Sequence, residues 1–503
     1  MLKELLHRKK LFLFTFVTGI GCSFQFGFNV SVINSASAFV KVFINETWME
    51  RHETPLQEYA AKLIWSFIVS VLPVGGIVGT YVGGHLTTKY GRKKCMLYNN
   101  IAIILISMIM GLSRRARYFE IILVARFLYG ISIGFGIMCH SLYLGESAPK
   151  DQRGAVCMSR PMLFAFGKFM GQVVGLREIL GRESTWPLLL AFSGLPALIQ
   201  LVTLPWFPES PRYLLIEKGN RALCQDALRR LWGSGDFTEE INDMMAERAA
   251  IDSDRAKSIR EVFRDRTIRW QLISAMVISM ASQLSGINVI YFYTTDVYEQ
   301  LGIPKDKIPY VGVGSGFIEI LTSVICILFI ERVGRKVLMW RGYSFMAVWM
   351  LILTVTLTLR NLSAWIPYCS LVFMFIYIFT YGLGPGCVSS VLILEIFTQS
   401  SRPAGLMISG TLQWIWLFVL GLVFPFLIDT IGQLSFLVFL VSCSFAAVFV
   451  YTMIPETKGK TLLQISEEFG KMNEVNRSCG NFLNKRHVVP NTTEVFVIES
   501  SRL

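Results

Sequence analysis

Residues 89–95 read Lys89-Tyr90-Gly91-Arg92-Lys93-Lys94-Cys95, a cluster of cations between apolar runs at 64–86 and 95–113. About twenty apolar residues suffice to cross a bilayer as a helix, and Lys and Arg collect in short cytoplasmic loops. The segment therefore reads as two membrane spans joined by a cytoplasmic turn. Working outward, runs at 11–33, 119–142, 156–176 and 185–206 complete a set of six. A charged stretch at 207–269 follows, and six further runs lie at 270–295, 307–330, 337–358, 365–392, 403–427 and 434–454. The expected fold is an all-α membrane protein of twelve transmembrane helices in two pseudo-symmetric six-helix bundles. Residues 1–206 and 270–456 form the bundles, 207–269 a cytoplasmic linker of short amphipathic helices, and 457–503 a cytoplasmic tail.

Composition agrees. Of 503 residues 53% are hydrophobic and only 17% charged, too few charges to cover soluble domains. The ten cysteines are scattered with no C-x-x-C pair, and the five histidines form no ligand cluster, so neither a disulfide scaffold nor a metal site is expected. No cofactor is implied. No nucleophile, zinc or phosphate-loop motif appears, so an enzyme is not expected. The net charge of +13 is explained by basic cytoplasmic loops with anionic lipid as a partner, and it calls for no nucleic acid.

Lys3, Arg8, Lys9 and Lys10 place the N-terminus inside, and the basic tail after Pro455 places the C-terminus there too. One outer loop, Arg114-Arg115-Ala116-Arg117, runs against that bias. The first apolar run is too long for a signal peptide and carries Gln25 and Asn29, so it reads as an uncleaved span. Asn45-Glu46-Thr47 is a glycosylation sequon on the outer loop, whereas sequons at Asn476 and Asn491 fall in the tail and are expected to stay bare. Ser501-Arg502-Leu503 has the form of a PDZ ligand and of a peroxisomal address.

The halves repeat. Gly91-Arg92-Lys93 returns as Gly334-Arg335-Lys336, Glu146 with Arg153 as Glu395 with Arg402, and Pro208-Glu209-Ser210 as Pro455-Glu456-Thr457. Three matches in order at nearly half the chain length indicate duplicated bundles. Charges at their cytoplasmic ends can pair while that side is shut and part when it opens.

These motifs, with Tyr143-Leu144-Gly145-Glu146, Arg153-Gly154, Ser210-Pro211-Arg212-Tyr213-Leu214, Gln283-Leu284-Ser285-Gly286-Ile287-Asn288, Glu331-Arg332-Val333-Gly334-Arg335 and Glu456-Thr457-Lys458-Gly459, resemble the sugar-porter signatures of the major facilitator superfamily. The likeness runs over about residues 11–470. Within that family, Phe43-Ile44-Asn45-Glu46-Thr47-Trp48 and Leu144 to Lys150 resemble the facilitative hexose transporters of the animal fructose/urate branch. The resemblance implies uniport of fructose or glucose by alternating access, without covalent chemistry; the sequon and the lack of sorting signals favour the plasma membrane over an internal one. It also implies a cytoplasmic salt-bridge network of Arg92, Glu146, Arg153, Glu209, Arg212, Glu331, Arg332, Arg335, Glu395, Arg402 and Glu456.

By the same resemblance Gln283 and Asn288 contact sugar, their amides suiting hydroxyls, beside a helix that loosens at Ser285-Gly286. Ile290 and Trp414 line the site, and Tyr291, Tyr293, Gly384 and Pro385 belong to gates. Several family positions are changed. Ser282 replaces a glutamine, Pro161 another, and Glu319 an asparagine; Ser390 stands for a tryptophan, Tyr381 for a histidine, and Gln413 and Leu417 for asparagines. The family's proton-coupled members have an aspartate where this chain has Asn29, so symport is not expected. A sugar sensor of the same fold would carry a longer signalling tail.

Two charges lie deep in apolar runs. Lys168, seven residues after Pro161, shares its face, and Glu319 lies well inside the eighth run. Unpaired charges there are costly, and the resemblance implies that the fifth and eighth spans face each other across the halves, so the expectation is a Lys168–Glu319 pair. The alternatives are Lys168 drawing an anion such as urate, or Lys168 snorkelling to the interface.

Overall fold

The computed structural model describes residues 9–149, 153–233, 235–253, 258–359, 362–363, 365–398, 400–460 and 464–471; the side chains of 153–155, 246–253, 331 and 433 are not among them. The expected sites at Arg153, Glu331, Asn476, Asn491 and Ser501-Arg502-Leu503 therefore lie, in side chain or altogether, outside the described residues.

Helices follow the apolar runs. The first span is a pair, Lys9–Ile20 and Ser23–Ser35, bent by 40°. The second to fourth are Glu58–Tyr90, Arg92–Ala116 and Glu120–Ser147, the fifth Arg153–Val174, the sixth Trp186–Trp206. The seventh starts at Arg269, the eighth is Ile308–Val333, the ninth Arg335–Thr358, the tenth Ile366–Ile396, the eleventh Arg402–Ile431 and the twelfth Ser435–Met453. Ten of these helices are long and apolar enough to cross a membrane, and the bent first pair makes eleven. The remaining expected span, the fifth, Arg153–Val174, has the length but not the composition, because Arg160 and Lys168 interrupt it. It packs all the same along Ser23–Ser35 and against the eighth span, so its cations are enclosed by protein rather than lipid.

Packing repeats with the sequence. The first span packs on the fifth and the seventh on the eleventh; the third packs on the fourth and sixth, the ninth on the tenth and twelfth. The two main contacts between halves, second with eleventh and fifth with eighth, exchange under the same correspondence. The two Gly-Arg-Lys turns show why. Gly91 has φ +96° and Gly334 φ +102°, a region that suits glycine. A Cβ on either would come within 2.6 Å of Glu209 or Glu456 respectively.

Loops differ from helices as their composition dictates. Segment 207–269 holds helices at Arg221–Trp232, Thr238–Ser253 and Ile259–Arg264. The last is opened by a capping box between Ser258 and Glu261. The loop after the first span contains a helix, Ser37–His52, on which Asn45 is exposed.

Candidate functional site

The seventh span breaks where the sequence loosens. Arg269–Leu284 ends, Gly286 turns at φ +82°, and Ile287–Phe292 resumes. A Cβ on Gly286 would lie 2.8 Å from the Phe439 ring. Tyr377 donates its hydroxyl to the freed Ser285 carbonyl. Across this break Asn288 Nδ2 donates to Gln283 Oε1 at 2.8 Å. Both amides are nearly buried, and Asn288 Oδ1 has no donor. The two expected sugar-reading residues are thus brought together, with acceptor capacity left over. Ile290 and Ser282 are buried on the same span.

Trp414 closes one side of this centre. Its Nε1 donates to Thr80 Oγ1 of the second span at 3.0 Å, its indole packs on Gly76, and its ring lies 5.0 Å from Phe26. Phe26 in turn lies 4.6 Å from Phe164 of the fifth span. Three aromatics therefore form a layer joining the halves. Tyr381 is buried at the end of the first tenth-span helix, before the π-helical turn Gly382–Gly386 that contains Gly384 and Pro385. Pro385 and Gly384 pack on Gly342 of the ninth span. Gln413 is half-buried, and Ser390 spends its hydroxyl on the Cys387 carbonyl at 3.1 Å.

Lys168 and Glu319 meet. The ammonium lies 2.9 Å and 3.2 Å from the two carboxylate oxygens, with side chains 0% and 5% exposed. Lys168 also faces the Tyr291 ring at 4.1 Å and the Phe164 ring at 4.4 Å, so the cation is enclosed by π faces and one carboxylate. It does not snorkel. One turn on, Gln172 is buried against Gly316 of the eighth span with both amide atoms unpartnered. Tyr293 donates its hydroxyl to the Gly421 carbonyl at 2.5 Å, within the second half.

Further contacts cross between the halves near the Ser37–His52 side. Lys62 pairs with Asp429 at 2.9 Å, Tyr310 donates to Glu178 at 2.7 Å, and Asn34 Nδ2 reaches Thr295 Oγ1 at 3.4 Å. Tyr310 donation is also the main reason the Glu178 carboxyl is held below its ordinary range. At the other end the polar links run within each half. Arg92 pairs with Glu146 at 2.7 Å and Arg335 with Glu395 at 3.2 Å. Glu209 accepts from the amides of Arg92 and Lys93, and Glu456 from those of Arg335 and Lys336. Ser210 Oγ donates to Glu146 and Thr457 Oγ1 to Glu395. Arg402 donates to the Phe397 carbonyl at 3.4 Å, Arg332 is exposed and its carbonyl accepts from Lys458, and Arg212 stands beside the first cluster in sequence. The ion pairs Arg92–Glu146 and Arg335–Glu395 form two matching clusters, one within each bundle, and pairing between bundles remains a proposal for the state in which this end is shut. A Cβ on Gly145 or on Gly410, one turn before Trp414, would touch nothing within 4 Å. Polar contacts thus join the halves at the Ser37–His52 side.

Sequence reasoning missed Ser210, Thr457 and Arg126. The hydroxyls were signalled only by their place beside Glu209 and Glu456. Arg126, wholly buried, donates to the carbonyls of Asn29 at 2.8 Å and Val69 at 3.3 Å, and its signal was a cation inside an apolar run. Asn29 itself donates to Ser193 Oγ at 3.0 Å.

Comparison with known proteins adds to this geometry. The family described as "Sugar (and other) transporter" matches residues 14–469. The human protein "Solute carrier family 2, facilitated glucose transporter member 11" is 42% identical over 491 residues, 98% of this chain and 99% of that one. Bovine "facilitated glucose transporter member 5" is 41% identical over 461 residues, 92% of each. Among solved structures, the proton:xylose symporter XylE bound to 6-bromo-6-deoxy-D-glucose superposes with a TM-score of 0.76 at 22% identity, covering 92% of this chain and 99% of that one. An inward-open form of XylE from E. coli gives 0.72.

Proposed function

The chain belongs to the sugar-transporter family, and from that premise we propose that it is a facilitative hexose carrier that moves fructose, glucose or both by alternating access. The observation that supports this most is the broken seventh span. There Gln283 and Asn288 are held together between the halves with an acceptor unfilled, an arrangement suited to reading hydroxyls. Ile290, Trp414, Ser282, Tyr381 and Gln413 complete the binding wall in this reading, Glu319 reaches it from the side, and Tyr291, Tyr293, Gly384 and Pro385 supply the moving parts. Residues 1–206 and 270–456 rock as two bodies, 207–269 bridges them, and 457–503 is a tail. With Asn29 an amide engaged to Ser193, no carboxylate stands there to cycle a proton. The plasma membrane is the assigned location, with Asn45 glycosylated outside and both termini inside.

The Lys168–Glu319 pair is assigned the role of a latch. Opening the Ser37–His52 side draws the fifth and eighth spans apart and hydrates both charges, so the pair favours the state seen here. Uptake of labelled fructose, glucose and urate into proteoliposomes, with and without imposed potential and pH gradients, tests the function. Saturable hexose uptake indifferent to both gradients is expected. Potential-driven urate uptake without hexose flux would overturn it.

A further inference from the structure

Gln172, one turn beyond Lys168 on the fifth span, is only 7% exposed, and among the described residues neither its Oε1 nor its Nε2 has a hydrogen-bond partner. A buried amide left wholly unpartnered is rare. Its surroundings accommodate it without bonding it. Gly312, Ser315, Gly316 and Glu319 share one face of the eighth span, at intervals of three and four. A Cβ on Gly316 would lie 2.4 Å from Gln172 Oε1, and one on Gly312 would lie 3.6 Å from Nε2. The two glycines make room for the amide and offer it no side-chain partner, whereas an amide that glues helices together faces a donor or acceptor.

Two phenols of the seventh span border the same face. Tyr291 and Tyr298 are wholly buried, and both hydroxyls lie near Ser315 with no hydrogen bond completed. Thr294, between them in sequence, puts its methyl 3.7 Å from the same Cβ on Gly312 that Gln172 approaches, so amide and phenols flank one stretch of the eighth span. Gln172 belongs to the first half and the other groups to the second. Glu178 follows Gln172 by six residues, and its partner Tyr310 precedes Gly312 by two. The unfilled groups therefore lie in the seam between halves, on the Ser37–His52 side of the Lys168–Glu319 pair. We propose that Gln172, with the Tyr291 and Tyr298 hydroxyls, forms a second hexose subsite that is exposed when the fifth span parts from the seventh and eighth. The amide presents a donor and an acceptor side by side, which matches neighbouring sugar hydroxyls, and the phenol rings offer flat apolar surface to the sugar's C–H face. Hexose arriving from the Ser37–His52 side meets these groups before Gln283 and Asn288. The inference rests on the hexose-carrier reading for the direction of travel, but not for the binding.

The probes are fructose, glucose and their monodeoxy derivatives, used as competitors of labelled hexose exchange in proteoliposomes. Gln172→Leu is expected to raise the half-saturating concentration of the parent hexose about tenfold, as loss of a buried hydrogen bond requires. It leaves unchanged the affinity of the derivative that lacks the hydroxyl Gln172 reads. Gln172→Asn, which keeps the amide on a shorter arm, falls between. Arg115→Gln on an exposed loop leaves the whole series as it was. A purely structural role for Gln172 shifts every competitor by one factor, and that outcome, or no shift at all, overturns the assignment. Direct binding is read as a hexose-induced rise in the melting temperature of purified protein, present in wild type and reduced in Gln172→Leu, with each variant's ligand-free melting temperature reporting its folding. A rise that depends on Gln172 in a protein without hexose flux keeps the subsite and refutes the carrier reading instead. Neither rise nor flux in wild type refutes both.

Discussion

At the ends away from Ser37–His52, Arg92 meets Glu146 and Arg335 meets Glu395, each inside its own half. At the centre, Lys168 of the fifth span meets Glu319 of the eighth across the boundary between halves. The same chemistry thus serves two ends. A pair within a half, tied to backbone amides by Glu209 or Glu456, survives rigid motion of that half and fixes the hairpin turn. In the proposed cycle a pair across the boundary is made and broken by the motion, and its energy enters the balance between states. Position relative to the moving boundary, rather than the residue type, decides which job an ion pair does.

The largest effect expected from breaking this contrast is at the centre. Glu319→Gln strands the Lys168 ammonium in a dry site, where losing one partner costs about 3–5 kcal/mol. The Ser37–His52 side should spring open, and hexose exchange should fall by about 100-fold or more, since each 1.4 kcal/mol is a factor of ten. Transport assays combined with cysteine labelling from the outer face would record both changes together.

Next come the turns. Gly91→Ala and Gly334→Ala each force a side chain into a positive φ costing about 1–2 kcal/mol and press on Glu209 or Glu456. Their melting temperatures should drop by similar amounts, with the balance of states unmoved. A drop at one position and none at the other would break the correspondence between halves.

A smaller effect is expected within the clusters. Glu146→Gln keeps the hydrogen bonds in part and weakens the ion pair with Arg92, lowering stability by about 1–3 kcal/mol while leaving relative affinities at the two faces alone. Thermal unfolding and two-sided hexose kinetics check it. The smallest belongs to the outer rim. Lys62→Ala removes an exposed pair with Asp429 worth about 0–1 kcal/mol, and initial-rate uptake should change by no more than about fivefold. A large change there would move the latch from the centre to the rim.

Much of this was legible in the sequence. Apolar runs, basic turns and the three repeated motifs gave the helices and their duplication because bilayer thickness and the cost of burying charge leave few alternatives. The Lys168–Glu319 pairing was legible for the same reason: a lone charge inside an apolar run needs a partner, and there was one of opposite sign on a facing span. The partners of Arg126 were not legible, since they are carbonyl groups that every residue carries. Ser210 and Thr457 were hidden by the commonness of hydroxyls. The fifth span was legible as a run at 156–176, but how its cations Arg160 and Lys168 are covered by neighbouring helices was not, a fact of packing rather than of sequence. The polar contacts that join the halves at the Ser37–His52 side were also invisible, because a carrier's one sequence encodes more than one state.

The most direct test is a double-mutant cycle on the population of states. Distances between spin labels at the outer ends of the second and eleventh spans would be measured in wild type, Lys168→Met, Glu319→Gln and the double variant. The account predicts that each single change shifts the population toward the form open at the Ser37–His52 side, and that the double variant returns toward wild type because no buried charge is left unpaired. Shifts that simply add, or no shift in either single variant, would contradict it.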